Sequence, residues 1–528
     1  MHDVPMDPAT ATALPPLPVP HGRLAVLAGV VAAGVAMGLS ELLAGLLSGT
    51  SSLVAAIGQQ VIDRQPPGAK DFVVALFGTN DKLALEVVVV LAALAFGALL
   101  GLLARRSFVA AALGFAAFGV LGFLAAFGDP TANTSLVAAQ VAVAVGAGVQ
   151  TLSWSMARLA GMAAIAAPTT IGTDPVRRTF LLRSGALGFA ALAAGMGGRA
   201  LLERGRVAPD TGATPIPPAS QAVATLETGT DLAPTTPGLT SIVIPNDRFY
   251  RIDTALITPS VNLAEWRLRI HGLVDREVTL TWDELIALPM IEQYVTIACV
   301  SNEVGGNLVG NAKWAGVRLR DVLELAGVQA NATQLVGRSV DGWTAGMPTA
   351  WVMDEAREPM IALKMNDEPL PRAHGFPARL IIPGLYGYVS ATKWLGELEL
   401  TTLESFDGYW VPLGWAKDAP ILTQSRIDTP RGSVTPGRVA IAGIAWAPDR
   451  GVSKVEVAVD GQWREAQLST PISETTWVQW LASWDATPGD HAISVRATDG
   501  EGVVQEELSS PPAPDGARGW HTIRVNVG

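Results

Sequence analysis

Cysteine is almost missing from this chain, with one, Cys299, in 528 residues. A single thiol excludes an intramolecular disulfide, and alone it makes no cysteine-based metal motif. Histidine is nearly as scarce, and none of the six (His2, His21, His271, His374, His491 and His521) falls in a long apolar run. That excludes a haem held by two histidines between membrane helices. Bases are outnumbered, 37 Lys and Arg against 48 Asp and Glu, for a net charge of −11. With no basic footprint, nucleic acid is excluded as a partner.

What is present is divided along the chain. Up to about Leu202 the sequence is Ala, Val, Leu and Gly with few charges; after a Pro/Thr-rich stretch it is rich in Trp and Asp/Glu. Five runs, 24–47, 83–103, 108–127, 136–156 and 180–202, reach the ~20 apolar residues that span a bilayer. The run 52–62, with Gln59 and Gln60 inside it, is too short and is expected to be interfacial. If the spans alternate, Arg23, Arg105, Arg106, Arg158, Arg177, Arg178 and Arg183 all fall on one side. The other side holds Arg64, Lys70 and Lys82, offset by Asp63, Asp71 and Asp81, and the 128–135 loop has no base. Positive charge stays inside, so the N-terminus is cytoplasmic and everything after Leu202 lies outside.

Two details of this half are ambiguous by residue type. Glu41 and Glu86 lie near span ends, where carboxylates at headgroup level are expected rather than an ion path. Arg177-Arg178-Thr179-Phe180-Leu181 opens the fifth run and resembles a twin-arginine export signal, although positive-inside anchoring uses the same residues.

Residues 204–240, rich in Pro, Thr, Ala and Gly without apolar periodicity, are expected to form a flexible linker. From Ser241 short β-rich runs, 266–270, 274–280, 295–299 and 380–382, alternate with helical pieces at 282–288 and 319–325. Thr281-Trp282-Asp283-Glu284 reads as a capped helix start. This mixed α+β domain ends near Trp415. Beyond it, strand-like runs at 439–446, 452–459, 476–484, 491–498 and 521–527 are separated by turn pairs such as Asp460-Gly461. Such spacing predicts an Ig-like β-sandwich. The reading is multi-domain: an all-α membrane bundle (1–203), the linker (204–240), an α+β domain (241–415) and the sandwich (416–528).

Cys299 ends a strand-like run and enters the loop Val300-Ser301-Asn302-Glu303-Val304-Gly305-Gly306. A structural cysteine hides within a strand, whereas a ligand needs a rigid strand to aim it and an open loop beside it. Thiolate suits a soft metal, but spacing alone leaves the buried-hydrophobe reading open. Several blocks from Ser241 onward resemble the sulfite-oxidase family of molybdopterin enzymes. They are Asp247-Arg248-Phe249-Tyr250-Arg251, the Cys-x-x-Asn of Cys299 and Asn302, and Trp314-Ala315-Gly316-Val317-Arg318. His374-Gly375-Phe376-Pro377-Ala378-Arg379, Tyr386-Gly387 and Lys393-Trp394-Leu395 follow in order, and Trp484 to His521 resembles the family's dimerisation sandwich.

The resemblance implies an oxidoreductase that binds a molybdenum–molybdopterin cofactor, with Cys299 as the metal ligand. It places His374, Arg379 and Lys393 at the pterin and its phosphate, where an Arg fork and a Lys charge suit an anion. Asn302, Asp247, Tyr250 and Arg251 fall in further contact segments, and Tyr409 in Asp407-Gly408-Tyr409-Trp410 matches the tyrosine facing the metal. It also implies a homodimer. Two family arginines are replaced, by Val304 five residues after the cysteine and near Ala513 before the terminal Trp-His. Those replacements weaken sulfite as a substrate and leave Arg251 as a single positive group. No haem segment occurs in the soluble half, so electrons pass to a separate partner. The expected function is two-electron oxygen-atom transfer on a small oxo donor or acceptor, outside the cell membrane. The alternatives are a tethered binding or assembly module that keeps the fold, and transport by the bundle, for which no inverted repeat is visible.

Overall fold

The computed structural model describes residues 22–66, 73, 76–77, 80–165, 175–204 and 215–528. His2, His21, Lys70 and Asp71 lie outside them. The chain forms two compact units, 1–206 and 207–528.

The first unit is helical: α1 (Gly22–Leu46), α2 (Leu53–Asp63), α3 (Asp81–Ala104), α4 (Phe108–Phe127), α5 (Thr134–Ile165) and α6 (Pro175–Glu203). All but α2 are long and apolar enough to cross a membrane. Small residues let α1 approach its neighbours closely, as helices in lipid require. A Cβ on Gly29 would lie 2.0 Å from Gly97 O, and one on Gly38 would lie 2.2 Å from Ala191 O. Large apolar side chains such as Leu91, Leu121 and Phe189 stay on the outside.

The two span-end glutamates are engaged within the bundle. Glu41 is buried and accepts from Ser52 Oγ (2.7 Å) and Val54 N (3.3 Å). Its carboxylate therefore fills the N-terminus of α2, which Ser52 itself caps through Ala55 N (3.1 Å). Glu86 pairs with Arg199 at 2.7 Å, joining α3 to α6.

The second unit begins with a segment whose order the sequence hides. Of the expected linker, residues 215–240 are strapped to the folded body, and 205–214 lie outside the described residues. Ser220 N and Gln221 N both donate to Met290 O, Gln479 Nε2 donates to Asp231 and to Thr240 O, and Thr240 N donates to Asp428. Backbone and side-chain hydrogen bonds hold this strap, so it shows no apolar period.

Two sheets make the α+β layer. One runs β2 (Val278–Thr281), β1 (Arg267–Gly272), β10 (Leu395–Thr401), β5 (Gln334–Ser339), β6 (Thr344–Pro348). The other runs β3 (Met290–Ala298), β4 (Val309–Arg318), β7 (Met360–Met365), β8 (Glu368–Pro369), with β9 (Arg379–Ile381) also on β7. Strands β1 and β10, at opposite ends of the layer's sequence, pair in parallel and close it. Gly272 permits that approach, since its φ is +92° and a Cβ would lie 2.2 Å from Leu400 O. Helix α7 (Trp282–Ile286) starts as expected: Thr281 and Glu284 form a reciprocal capping box.

Two further sheets follow: β11 (Gln424–Thr429), β13 (Gly437–Trp446), β17 (Val478–Ala486), β16 (Gln467–Leu468), and β12 (Ser433–Val434), β19 (His521–Val527), β18 (Gly489–Asp499), β14 (Val452–Val459), β15 (Gln462–Glu465). Ile441 and Trp480 of the first share a core with Val457 and Val495 of the second. The Asp460-Gly461 pair makes the β14–β15 hairpin with φ positive at both residues, the geometry that matches strand twist. Trp477 ties these sheets to the α+β layer, its N–H donating to Thr296 Oγ1 and its indole N–H to Ile242 O, both at 2.8 Å.

Candidate active site

Strand β3 pairs with β4 from Met290 to Ala298, and Cys299 N extends the ladder by donating to Leu308 O at 2.9 Å. There the chain turns, with Asn302 N donating to Cys299 O at 3.1 Å and Asn302 Oδ1 accepting from Leu308 N at 2.8 Å. Asn302 thus spends its side-chain oxygen holding the loop. The thiol is half-buried, with Ser301 Oγ 2.9 Å away. A rigid hairpin aims it and a short loop opens beside it. The C-terminal sheets clamp that loop. Gly305, at φ +76°, leaves room for the His521 ring, which a Cβ would approach to 2.3 Å, and Gly306 O accepts from Arg426 at 2.8 Å.

The cations expected at a phosphate converge in this structure. His374 and Arg379 are buried, at 5% and 3% exposure, and Arg379 donates to His374 O at 3.1 Å. His374 Nε2 bonds Asn246 O at 3.0 Å, so this histidine donates there in its neutral form. Lys393 donates to Ala373 O (3.1 Å) and to Asp253 Oδ2 (3.0 Å), the same oxygen that takes Arg251 Nε (2.8 Å). Phe249 packs edge-on against His374 and Trp314, and Arg379 stacks 5.1 Å from the Trp314 ring. Arg379 Nε is buried without a partner.

Charge is crowded here. Burial and then the neighbouring Arg379 and Lys393 push His374 down to about 4. Burial lowers Lys393 to about 8 against the pull of Asp253, and lowers Arg379 to about 10. Among the described residues, Asp253 is the carboxylate in contact with both Lys393 and Arg251. Buried cations with so little counter-charge, one of them with an idle N–H, fit an anionic phosphate.

Other expected residues are distributed differently. Asp247 sits exposed in the turn closed by Arg248 N and Phe249 N on Pro245 O. Tyr250 stacks on Phe249 and is in electrostatic reach of both Cys299 and Arg379, and burial raises its phenol. Arg251 is 41% exposed and is taken up by Asp253 and Thr258. Tyr409 packs edge-on against Trp410, with its N–H on Thr344 O. Tyr386, to which sequence reading gave no role, is buried and in electrostatic reach of Cys299. The signal was available in the quoted Tyr386-Gly387 pair, but nothing local distinguishes it from a core tyrosine.

Among the described residues no three His, Cys, Asp or Glu side chains converge on a metal position. A metal at Cys299 would take its remaining ligands from elsewhere, and a thiol with the cation cluster fits a phosphorylated cofactor carrying a soft metal.

Comparison with known proteins agrees. Residues 255–410 match the oxidoreductase molybdopterin binding domain family. The uncharacterized oxidoreductase YuiH of Bacillus subtilis is 35% identical over 154 residues, covering 29% of this chain and 74% of the relative. The chain belongs to the sulfite-oxidase family of molybdopterin oxidoreductases. Human mitochondrial sulfite oxidase is 30% identical over 340 residues, 54% of this chain, and the match spans 62% of that relative's length. Among solved structures, the sulfane dehydrogenase SoxCD of Paracoccus pantotrophus is similar at 22% identity and a TM-score of 0.48, covering 54% of this chain and 82% of that one. Within the family, the cysteine loop and the cation cluster of this chain are the parts whose geometry bears on function.

Proposed function

We propose that this chain is a membrane-anchored, extracytoplasmic molybdopterin oxidoreductase with Cys299 as the protein ligand to the metal. The observation that carries the reading is the His374–Arg379–Lys393 cluster, short of counter-charge, together with the half-buried Cys299 at the end of the β3–β4 hairpin. When bound, the cofactor supplies two-electron oxygen-atom transfer. The chain's own residues do the rest. Arg379 and Lys393 would hold the phosphate, and neutral His374 fixes the Asn246 segment beside Arg379. Asn302 fixes the loop so that the thiolate points one way. Arg251 shares the Asp253 carboxylate with Lys393, while Asp247 stays exposed in the turn at Pro245.

Val304 and Ala513 stand where two family arginines are expected, which favours a neutral or singly charged small molecule over a dianion. Electrons pass to or from a separate partner. The five apolar helices are compatible with a multi-pass anchor. Charge asymmetry supports a cytoplasmic N-terminus, and the C-terminal sheets are read as an Ig-like, dimer-forming sandwich.

The test is molybdenum and pterin quantification on purified protein, with Cys299→Ala alongside. The wild type is expected to carry molybdenum and turn over a redox dye, and the variant to lose turnover with its fold intact. Wild-type protein without molybdenum, or full activity in Cys299→Ala, overturns the proposal.

A further inference from the structure

We infer that the membrane bundle binds an isoprenoid quinone, its ring held beside Ser40 and Glu41, and that this redox lipid is the chain's electron partner. The site stands on the bundle's own residues. The electron role rests on the functional reading above and names the partner which that reading leaves open.

The bundle is not packed solid. Helices α1 to α5 border a cavity of about 710 Å³, its open side included. Its walls are apolar except where α1 contributes Ser40 and Glu41. Phe96, Phe115 and Phe118 give it aromatic surface, and the rings of Phe96 and Phe118 stack with centres 5.4 Å apart. A flat, apolar-tailed ring suits such walls.

The polar end has hydrogen bonds to give. Ser40 is 2% exposed; its hydroxyl oxygen accepts from Gln140 Nε2 at 3.1 Å, and among the described residues no acceptor takes its proton. Gln140 Oε1 is buried without a donor. Glu41 accepts from Ser52 Oγ and Val54 N, which leaves it lone pairs for a further donor. A spare donor next to a spare acceptor matches the hydroxyl of a quinol, and the donor alone matches the carbonyl of a quinone. Polar groups left unused within a membrane bundle are a cost that such a head removes.

Charge and position narrow the ligand. None of the lining residues is Lys or Arg, so a phospholipid phosphate meets no cation, and a fatty-acid carboxylate would face Glu41. A neutral ring on an apolar tail meets neither objection. Ser40 and Glu41 lie in the last two turns of α1, which the proposed topology puts on the outer side with the redox unit. As electron donor, a quinol loses two electrons and two protons and becomes the quinone. Removing one oxygen from an oxo acceptor as water takes up the same two electrons and two protons.

The experiment uses the full chain in phosphatidylcholine nanodiscs, with molybdenum measured on the same preparation. A photoreactive azidoquinone is the probe, labelled peptides are located by mass spectrometry, and a short-chain menaquinone competes. Labelling should fall on α1 and α4 and be displaced by the menaquinone. Ser40→Ala costs the fold one of three contacts of Gln140 Nε2, so melting should match wild type while competition weakens about tenfold. Val89→Trp, at a half-buried lining position, should abolish labelling, whereas Leu91→Trp, 59% exposed and outside the cavity, should not. The site is overturned if label spreads over lipid-facing residues, if phosphatidylglycerol competes as well as the menaquinone, or if Ser40→Ala and Val89→Trp both equal wild type. On molybdenum-loaded protein the reduced menaquinone should bleach the cofactor's visible absorption; binding without bleaching overturns the electron role. Specific labelling of a wild-type protein that holds no molybdenum keeps the site and overturns the functional reading instead.

Discussion

Arg379→Met should leave the cofactor-free protein about as stable as wild type while weakening its hold on the cofactor. Arg379 is 3% exposed, has no carboxylate in contact among the described residues, and leaves Nε without a partner. Burial lowers it from 12.5 to about 10, which corresponds to about 3 kcal/mol for keeping the charge in the empty cradle. Methionine retains an apolar stem of similar length against Trp314. The substitution loses the charge-assisted bond to His374 O, worth about 1.5–3 kcal/mol, and the stacking on Trp314, worth about 1 kcal/mol. The two sides nearly cancel, so the variant apoprotein should melt within roughly 2 °C of wild type.

Loading should fall. The phosphate loses a charge-assisted contact of about 1.5–3 kcal/mol, so affinity should fall by roughly one to two orders of magnitude. The assay compares both proteins from a host unable to make molybdopterin, then titrates in cofactor at limiting concentration. Melting is followed by the near-ultraviolet tryptophan signal. Every tryptophan except Trp154 lies in the second unit, so the bundle contributes little to it. A variant that melts several degrees lower as apoprotein, yet loads to the wild-type level, would falsify the claim that Arg379 is a strained cation awaiting an anion.

Three further outcomes are expected. His374 titrates near 4 when folded and about 6.5 when unfolded, so its contribution to stability is full above pH 6.5 and is lost as pH falls towards 4. The loss is about 3 kcal/mol, and acid melting curves of cofactor-free His374→Gln should lack that increment. Steady-state kinetics on loaded protein should show weak sulfite oxidation: two missing charge-assisted contacts imply roughly two to four orders of magnitude in affinity, and a low-micromolar sulfite KM with fast turnover would refute this. Reporter fusions should place the 128–135 loop and the C-terminus outside and the segment between α5 and α6 inside. Arg177→Lys with Arg178→Lys should block export if the pair is a twin-arginine signal, and normal export would leave anchoring as its role.

Periodicity and turn chemistry carried the sequence reading where one side chain decides local geometry. β14 and β19 lie where alternation puts them, and Thr281 caps α7 through the box that its sequence spells. The reading failed where partners are distant in sequence. Nothing within residues 215–240 reveals that Gln479, 248 residues from Asp231, will order them. Glu41 looks like an interfacial carboxylate because the helix end it fills, at Ser52 and Val54, is formed by a separate turn of chain.

The same division runs through the site. His374 and Lys393 are unremarkable loop residues until the fold sets both beside Arg379 with Asp253 as shared counter-charge. Tyr409 and Tyr386 cannot be ranked by residue type, since both are aromatic alcohols near glycine, and only the fold shows the C-terminal loop at Gly516 pressing on the second. Cys299 has the same logic in reverse. Its meaning comes from a hairpin that aims it and from a cation cluster short of counter-charge in the same domain. The C-terminal sheets are then part of the site, because Arg426, His521 and Gly516 fix the cysteine loop and the phenol from outside the matched domain.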